Sequence, residues 1–508
     1  MSSASAPSVI SFICKNPVLQ RWLLVMLLVQ VLFSYRSIGF FHPDQHFQII
    51  EFALHQLKEP NGTAPIWELE KMIRPSVQVH LFSAFYIVCN SIGIDNPFTQ
   101  IGILHCLMGL SMFVLFSAIL IWYLQKKSLP VLLISLGLLN LTWSFPYIRS
   151  LFSSEILGSF LFFATAFAYE RMNAKKQSIP LLTLIIIGFC FALAFYVRFQ
   201  MAFALVGWFL ALLIRKKWAE IPSLGIGFLV GIALNVYLDQ LFYHQWVFTP
   251  YKYFYVNIFE GVAASFGTSS FLTYIGILAG ILAAPLLSIF LFGVSCYSFL
   301  KNWKHPLVLS TFVFIVGHCF IGHKEERFLY PIFFILPLFI GWQLVPLQQW
   351  YNSIKGIKKL AFQIFMYLGI GLNFFLLVLF SFINYAQTVS FAHELNKNYT
   401  NAVTIHCFER TPLETESQLP LVYYQKGIKN VNFKELSGVK ALDSLQQKPQ
   451  LIATTFNDIR EHKQYLQQLG YQETLYSSTV LWRINEWLAS KNINTINDIW
   501  VLYRYQKN

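Results

Sequence analysis

The sequence predicts an all-α polytopic membrane protein of about eleven transmembrane helices, followed by a small C-terminal α/β soluble domain. Three observations carry that prediction. Hydrophobic residues make up 56% of the 508 positions and charged residues 12%, with a mean hydropathy of +0.52, too apolar for a water-soluble globular chain. Apolar runs of about 15 to 25 residues, enough to cross a hydrocarbon core, recur along most of the chain. From about residue 387 these runs stop and the composition turns mixed and polar. The predicted division is therefore 1–386 for the membrane domain and 387–508 for an extracytoplasmic or lumenal α/β domain.

The candidate spans run approximately over 19–38, 101–124, 130–147, 153–170, 180–197, 200–214, 222–242, 271–299, 306–322, 327–345 and 361–385. Lys15 and Arg21 before the first run resemble a signal peptide, but no small-residue cleavage site follows, so a retained first span is expected. Of the seven cysteines, only Cys407 lies in the polar tail, and neither a CxxC pair nor a disulfide framework can be read.

A further apolar segment, Ser76 to Ile94, is decided by parity. If it does not cross, Lys15/Arg21, Lys126/Lys127, Arg171/Lys175/Lys176, Arg215/Lys216/Lys217, Lys301/Lys304 and Lys355/Lys358/Lys359 all fall on one side, as the positive-inside tendency requires. Most of the net charge of +13 is then topological, and nucleic acid is not an expected partner. The segment is expected to be re-entrant or interfacial, the N-terminus inside and the C-terminus outside.

The outer side then collects the ionisable residues of interest. The first outer loop opens with His42-Pro43-Asp44-Gln45. Pro43 biases His42 toward an extended conformation, and Asp44 suits a helix start. Phe47, Ile50, Leu54 and Leu57 would form an apolar stripe opposite Asp44, Gln48, Glu51 and His55, the pattern of a helix lying in the membrane interface. Asp44 is read either as an N-cap or as a general base for a hydroxyl on the water side.

His323-Lys324-Glu325-Glu326-Arg327 between two apolar runs is either a solvated connection or a grip for a phosphate at headgroup level. Arg149 and Glu155 flank an outer turn, either as an ion pair or as ligand groups, and Arg198 sits between two short spans. Arg74 reads as a headgroup anchor or as a further substrate-binding residue. The aromatic stretch around Trp246 reads as an interfacial belt or a stacking surface. No phosphate-binding Gly loop, zinc-ligand spacing or Asp-x-Asp at a strand end is present, so neither a metal nor an aqueous sugar nucleotide is expected.

Taken in order, His42-Pro43-Asp44, the Arg149 to Glu155 turn, Asp239 to Trp246 (DQLFYHQW) and His323 to Pro331 (HKEERFLYP) resemble glycosyltransferase family 22. The tail, with His406-Cys407, Leu451 to Phe456 and a closing Trp500 to Arg504 strand, is similar to that of the members that build the GPI anchor. The resemblance implies a GT-C fold and inverting transfer of mannose from a polyprenyl or dolichyl phosphate mannose to a hydroxyl of a glycolipid or glycan. It implies Asp44 as catalytic base, with Gln45 standing where the family usually has Glu.

The resulting expectation places the donor phosphate near His323, Lys324 and Arg327, with Arg149, Arg198 and Arg74 as further candidates. His42, Gln45, Glu155, Glu325 and Trp246 would support them. No cofactor is required and no obligatory protein partner can be inferred beyond the donor, the acceptor and membrane lipids. A bacterial inner membrane or the endoplasmic reticulum membrane would suit, with the site on the extracytoplasmic or lumenal face. A lipid-linked saccharide flippase and a membrane glycan ligase are the rival readings, although a flippase would carry its ionisable groups near the midplane. Asn61-Gly62-Thr63 and Asn398-Tyr399-Thr400 match the glycosylation triplet.

Overall fold

A computed structural model of the protein describes residues 8–59, 66–175, 177–283 and 285–506. Lys176 and the Asn61 triplet lie outside them. The chain forms two compact units. One comprises residues 1–34, 66–81 and 105–380; the other comprises 35–65, 82–104 and 381–508. The division is thus discontinuous in sequence, with the first loop sharing a unit with the tail.

The first unit is helical. Among the described residues, Pro17–Arg36, Pro97–Leu124, Trp218–Tyr243 and Gly356–Ser381 are long and apolar enough to cross a membrane, Pro97–Leu124 beginning in residues of the second unit. Glu326–Phe333 with Leu336–Ser353, bent by 57°, makes a fifth if the pair is one span. Shorter apolar helices cover Leu129–Leu141, Leu181–Val197, Met201–Ile214, Leu287–Lys301 and Pro306–Cys319, and Ser154–Asn173 carries Glu155, Glu170 and Arg171. The protein is a multi-pass membrane protein whose apolar runs are all helical. By length and composition, four or five qualify as full spans.

Two predicted spans are not single helices. The run 271–299 breaks into Thr273–Ile281 and Pro285–Lys301. Pro285 has no N–H with which to continue the ladder, and Ser288 Oγ accepts the Leu282 N–H at 2.8 Å. The run 327–345 starts as a 3-10 turn, Glu326–Leu329, then Tyr330–Phe333 and Leu336–Ser353, with Pro331 and Pro337 opening the two helices. Val77–Ser91, in the ambiguous segment, is one uninterrupted helix of 15 residues with no re-entrant turn inside it. At 1.5 Å per residue it reaches about 22 Å, short of a hydrocarbon core.

Close packing in this unit uses missing side chains. A Cβ on Gly188 would lie 2.0 Å from Leu224 O, and one on Gly227 1.9 Å from Ile185 O, so Leu181–Val197 and Ile221–Tyr243 meet backbone to backbone.

The second unit holds a five-stranded sheet: β1 (Val403–Phe408), β2 (Val431–Leu436), β3 (Leu451–Thr455), β4 (Tyr471–Tyr476) and β5 (Trp500–Tyr505), in the order β2-β1-β3-β5-β4. β1 runs parallel to β2 and β3, whereas β5 runs antiparallel to β3 and β4. Every residue of β3 is buried, and Phe408, Ile452, Phe456, Trp482 and Tyr503 share one core.

Two segments whose residues favour β structure are helices. Leu421 to Tyr424 gives the helix Val422–Gln425. Ser478 to Ile484 opens the helix Thr479–Ser490, where Ser478 Oγ accepts from Leu481 N–H at 3.3 Å and Leu481, Trp482 and Asn485 face inward. The cap and the helical period override the β propensity of Thr and Val there.

Within this unit, Lys426 Nζ lies 2.6 Å from Glu59 Oε2 and 3.0 Å from Tyr86 Oη. The hydrogen bond from Lys426 holds the Glu59 carboxyl below its ordinary range. Burial pulls the Lys426 ammonium down, but its bonds to Glu59 and Tyr86 outweigh that and leave it raised. A depressed carboxylate stabilises the fold above its unfolded pKa and loses that contribution as pH falls through its folded one. Glu59→Gln is therefore expected to lower the thermal midpoint at neutral pH by about 1 kcal/mol or less in equivalent stability. It should also flatten the acid-side loss below about pH 5, as a melting series from pH 7 to 3 would show.

Candidate active site

The predicted site residues fall into both units. In the first unit the cationic groups gather around two carboxylates. Glu155 lies in the first turn of Ser154–Asn173, where Ser153 Oγ caps the Ile156 N–H at 3.3 Å and the helix dipole favours an anion. Arg198 stands in extended conformation at the end of Leu181–Val197. Its Nη2 lies 3.1 Å from Glu155 Oε1, with the two side chains 8% and 2% exposed. Arg327, aimed inward by the 3-10 turn, puts Nη1 3.9 Å from the same oxygen.

Glu325 holds Arg327 from the other side through Nε and, at 3.1 Å, Nη2. It also faces His323 Nε2 at 2.8 Å. His323 Nδ1 lies 3.1 Å from Gly267 O. Both ring nitrogens thus face oxygen atoms. Lys324 Nζ donates to Ile321 O and, at 3.3 Å, to Ser269 O, and lies 5.7 Å from the Tyr274 ring centre. Phe328 offers its ring to both guanidinium groups, at 5.0 Å for Arg198 and 5.3 Å for Arg327.

His323, Glu325, Arg327, Arg198 and Glu155 therefore form one constellation, while Lys324, next in sequence, donates to main-chain oxygens instead, and of the two readings of Arg149 and Glu155 the ion pair is not formed. Arg149 is fully buried and donates instead to Asn140 Oδ1 at 2.6 Å, between the rings of Phe113 and Phe334. Its Nε and Nη2 meet no hydrogen-bond partner among the described residues. Arg74 is paired with Glu68, from Nη2 at 2.6 Å and Nε at 3.1 Å, and its carbonyl accepts from Tyr243 Oη at 2.7 Å. Trp246 is 72% exposed, and Phe248, Tyr251, Phe254 and Phe259 after it are exposed as well.

Asp239 is a centre of this unit whose role spacing does not reveal. Its carboxylate is fully buried and accepts four hydrogen bonds: Ser76 N–H at 2.9 Å, Ser76 Oγ at 2.7 Å, Tyr196 Oη at 3.0 Å and Thr249 Oγ1 at 2.6 Å. Three distant segments are tied to one side chain. Asp239→Ala is expected to destabilise the protein by about 3 kcal/mol or more, because each buried donor left without its acceptor costs about 1–3 kcal/mol. Asp239→Asn should cost less, since the hydroxyls can turn to accept. Melting of the purified variants in detergent checks the order.

In the second unit His42 is extended, as Pro43 dictates, and it rather than Asp44 is the N-cap: its Nδ1 accepts the Asp44 N–H at 3.2 Å. Asp44 occupies the first turn of Pro43–Gln45 with about a third of its side chain exposed, and Oδ1 lies 3.7 Å from His42 Nδ1. Gln45 Oε1 accepts the Phe41 N–H at 3.0 Å, bracing the same turn.

The segment that follows is not the amphipathic interfacial helix expected of it. His46–Glu51 winds as a π-helix and Phe52–Gln56 as an α-helix, and every residue from Gln45 to Leu54 is buried. Glu51, expected on the polar face, is instead buried in a pair with His46, Nε2 to Oε1 at 2.8 Å. The pairing did not stand out in the sequence, because a five-residue spacing does not place side chains together on an α-helix.

A family model described as the Alg9-like mannosyltransferase family matches residues 22–414. The GPI mannosyltransferase 3 of Schizosaccharomyces pombe is 24% identical over 487 residues, covering 86% of this chain and 88% of that protein. The GPI mannosyltransferase 3 of Yarrowia lipolytica is 24% identical over 306 residues, 58% of this chain and 57% of that one, so there the match spans little more than half of the relative's length. The GPI alpha-1,2-mannosyltransferase 3 of Bos taurus is 22% identical over 396 residues, 76% and 68% of the two chains. Among solved structures, ArnT from Cupriavidus metallidurans bound to undecaprenyl phosphate aligns over 96% of this chain and 97% of its own, with a TM-score of 0.47 and 10% identity.

Proposed function

The chain belongs to the Alg9-like mannosyltransferase family, and from that premise we propose that it moves mannose from a polyprenyl or dolichyl phosphate mannose to a hydroxyl of a GPI-like glycolipid or glycan. The transfer inverts carbon 1, giving an α-mannosidic bond, and takes place on the extracytoplasmic or lumenal face of a GT-C enzyme.

The observation that best supports this reading is the constellation of Arg198, Arg327 and His323 around Glu155 and Glu325, with Lys324 beside it in sequence. As the glycosyl bond breaks, the departing group is a phosphate whose charge grows. Guanidinium groups already oriented by carboxylates meet that charge without reorganising, which is where electrostatic stabilisation is most effective. Arg149 offers further unpaired N–H groups for an anion.

Asp44, partly exposed, takes the proton of the acceptor hydroxyl as that oxygen attacks carbon 1. The bond from carbon 1 to the phosphate oxygen breaks as the new C–O bond forms, and the pair of electrons leaves with the phosphate. The donor phosphodiester carries one negative charge and the departing polyprenyl phosphate gains a second, which the side-chain cations would match without calling for a metal.

Purified protein incubated with polyprenyl phosphate mannose and, in parallel, GPI-like, N-glycan-like and bacterial lipid acceptors tests the proposal. Mannose transfer to the GPI-like acceptor is expected, with release of polyprenyl phosphate. Absence of transfer to every acceptor by active, folded protein would overturn it.

A further inference from the structure

We propose that His46 and Glu51 are positioning residues for Asp44, acting through the π-helical turn that joins them. The proposal rests on Asp44 being the base.

The pair exists because of the winding. On an α-helix, residues five apart point about 140° away from each other. Over His46–Glu51 the backbone instead winds as a π-helix, whose i to i+5 repeat brings the two side chains to 2.8 Å. Both side chains are completely buried. Such a pair stabilises a fold no better than well-packed apolar groups of the same size, so its presence is not explained by stability alone.

What the pair holds is the turn carrying Asp44. The His46 N–H donates to Pro43 O, so Pro43–Gln45 runs into the π turn without a break. The imidazole is sandwiched between Phe40, at 5.2 Å and 26°, and Tyr424, at 5.2 Å and 19°. Glu51 Oε1 accepts, besides His46, the main-chain N–H of Tyr423 at 3.0 Å. The short helix Val422–Gln425 is fastened in turn by Tyr423 Oη donating to Gln100 Oε1 at 2.7 Å. The dyad thus passes the rigidity of the tail segment to the loop two residues before His46. Unwinding the π turn to an α turn would rotate Asp44, together with His46, about the helix axis relative to Glu51 and the segment it is fastened to, while leaving the chemistry of Asp44 intact.

Loss of alignment of this kind lowers turnover more than binding, since a misplacement of about 1 Å costs on the order of 100-fold. Glu51→Leu, His46→Gln and Asp44→Asn should be measured side by side in full-length folded protein, with kcat and KM for donor and acceptor. Glu51→Leu and His46→Gln are expected to lose about 100-fold in kcat with both KM values within about threefold. Glu51→Gln, which keeps an acceptor for Tyr423 N–H, should recover much of the loss.

A Glu51→Leu or His46→Gln protein with kcat near wild type, while Asp44→Asn is inactive, overturns the positioning role alone. Near-normal turnover of Asp44→Asn overturns the base and the positioning role together. A loss carried by KM also overturns the proposal. If Glu51→Leu does not fold, the His46→Gln split decides.

Discussion

Asp44→Asn is expected to lower mannosyl turnover by about 10²–10⁴-fold, the range of a lost general base, with little change in stability. The side chain is about a third exposed, and the cap of its short helix belongs to His42, whose Nδ1 accepts the Asp44 N–H whether residue 44 is charged or not. Asn keeps the size and the backbone contacts and removes only the basic oxygen. Single-turnover rates with preloaded donor would isolate the chemical step, and thermal midpoints of the two proteins should coincide. Turnover near that of the unchanged protein would refute the role.

Arg327→Ala should cost about 10²–10³-fold in kcat/KM for the donor, the size of the loss when one preorganised donor to a developing anion is removed. Arg327 is contacted by Glu325 through two of its nitrogens and approaches Glu155 through the third, so its position is set before any ligand arrives. Arg327→Lys should not restore the rate, because a single ammonium cannot reproduce the fork. The effect should be larger for the phosphate-bearing donor than for the acceptor. Equal losses in both specificities would mean that the variant disturbs the whole constellation. Unchanged donor kinetics would remove Arg327 from the phosphate role.

The features that could be read along the chain are those whose partners lie nearby or whose character is chemical. The apolar runs, the extended His42 before Pro43 and the grouping of His323 to Arg327 are of this kind. Where the outcome depended on distant partners, spacing failed. Glu155 sits close to Arg149 in sequence but contacts Arg198 and Arg327, while Arg149 finds Asn140 inside an apolar run. Asp239 draws its donors from residues 76, 196 and 249, which no local pattern connects. The His46 to Glu51 pair was hidden by the helical period itself, since only a π turn brings the two together. In the tail, β2 and β4 alternate between buried and exposed polar residues and so lacked the apolar content by which β3 was recognised.

The backbone contact of Gly188 with Leu224 and of Gly227 with Ile185 bears on traffic through the bilayer. A methyl group already cannot fit at either point, so an isoprenoid chain, whose every unit carries a branching methyl, has no passage through the seam between Leu181–Val197 and Ile221–Tyr243. The seam is closed at both points, so under the proposed function a lipid-borne donor would reach Arg198 and Arg327 by a different portal.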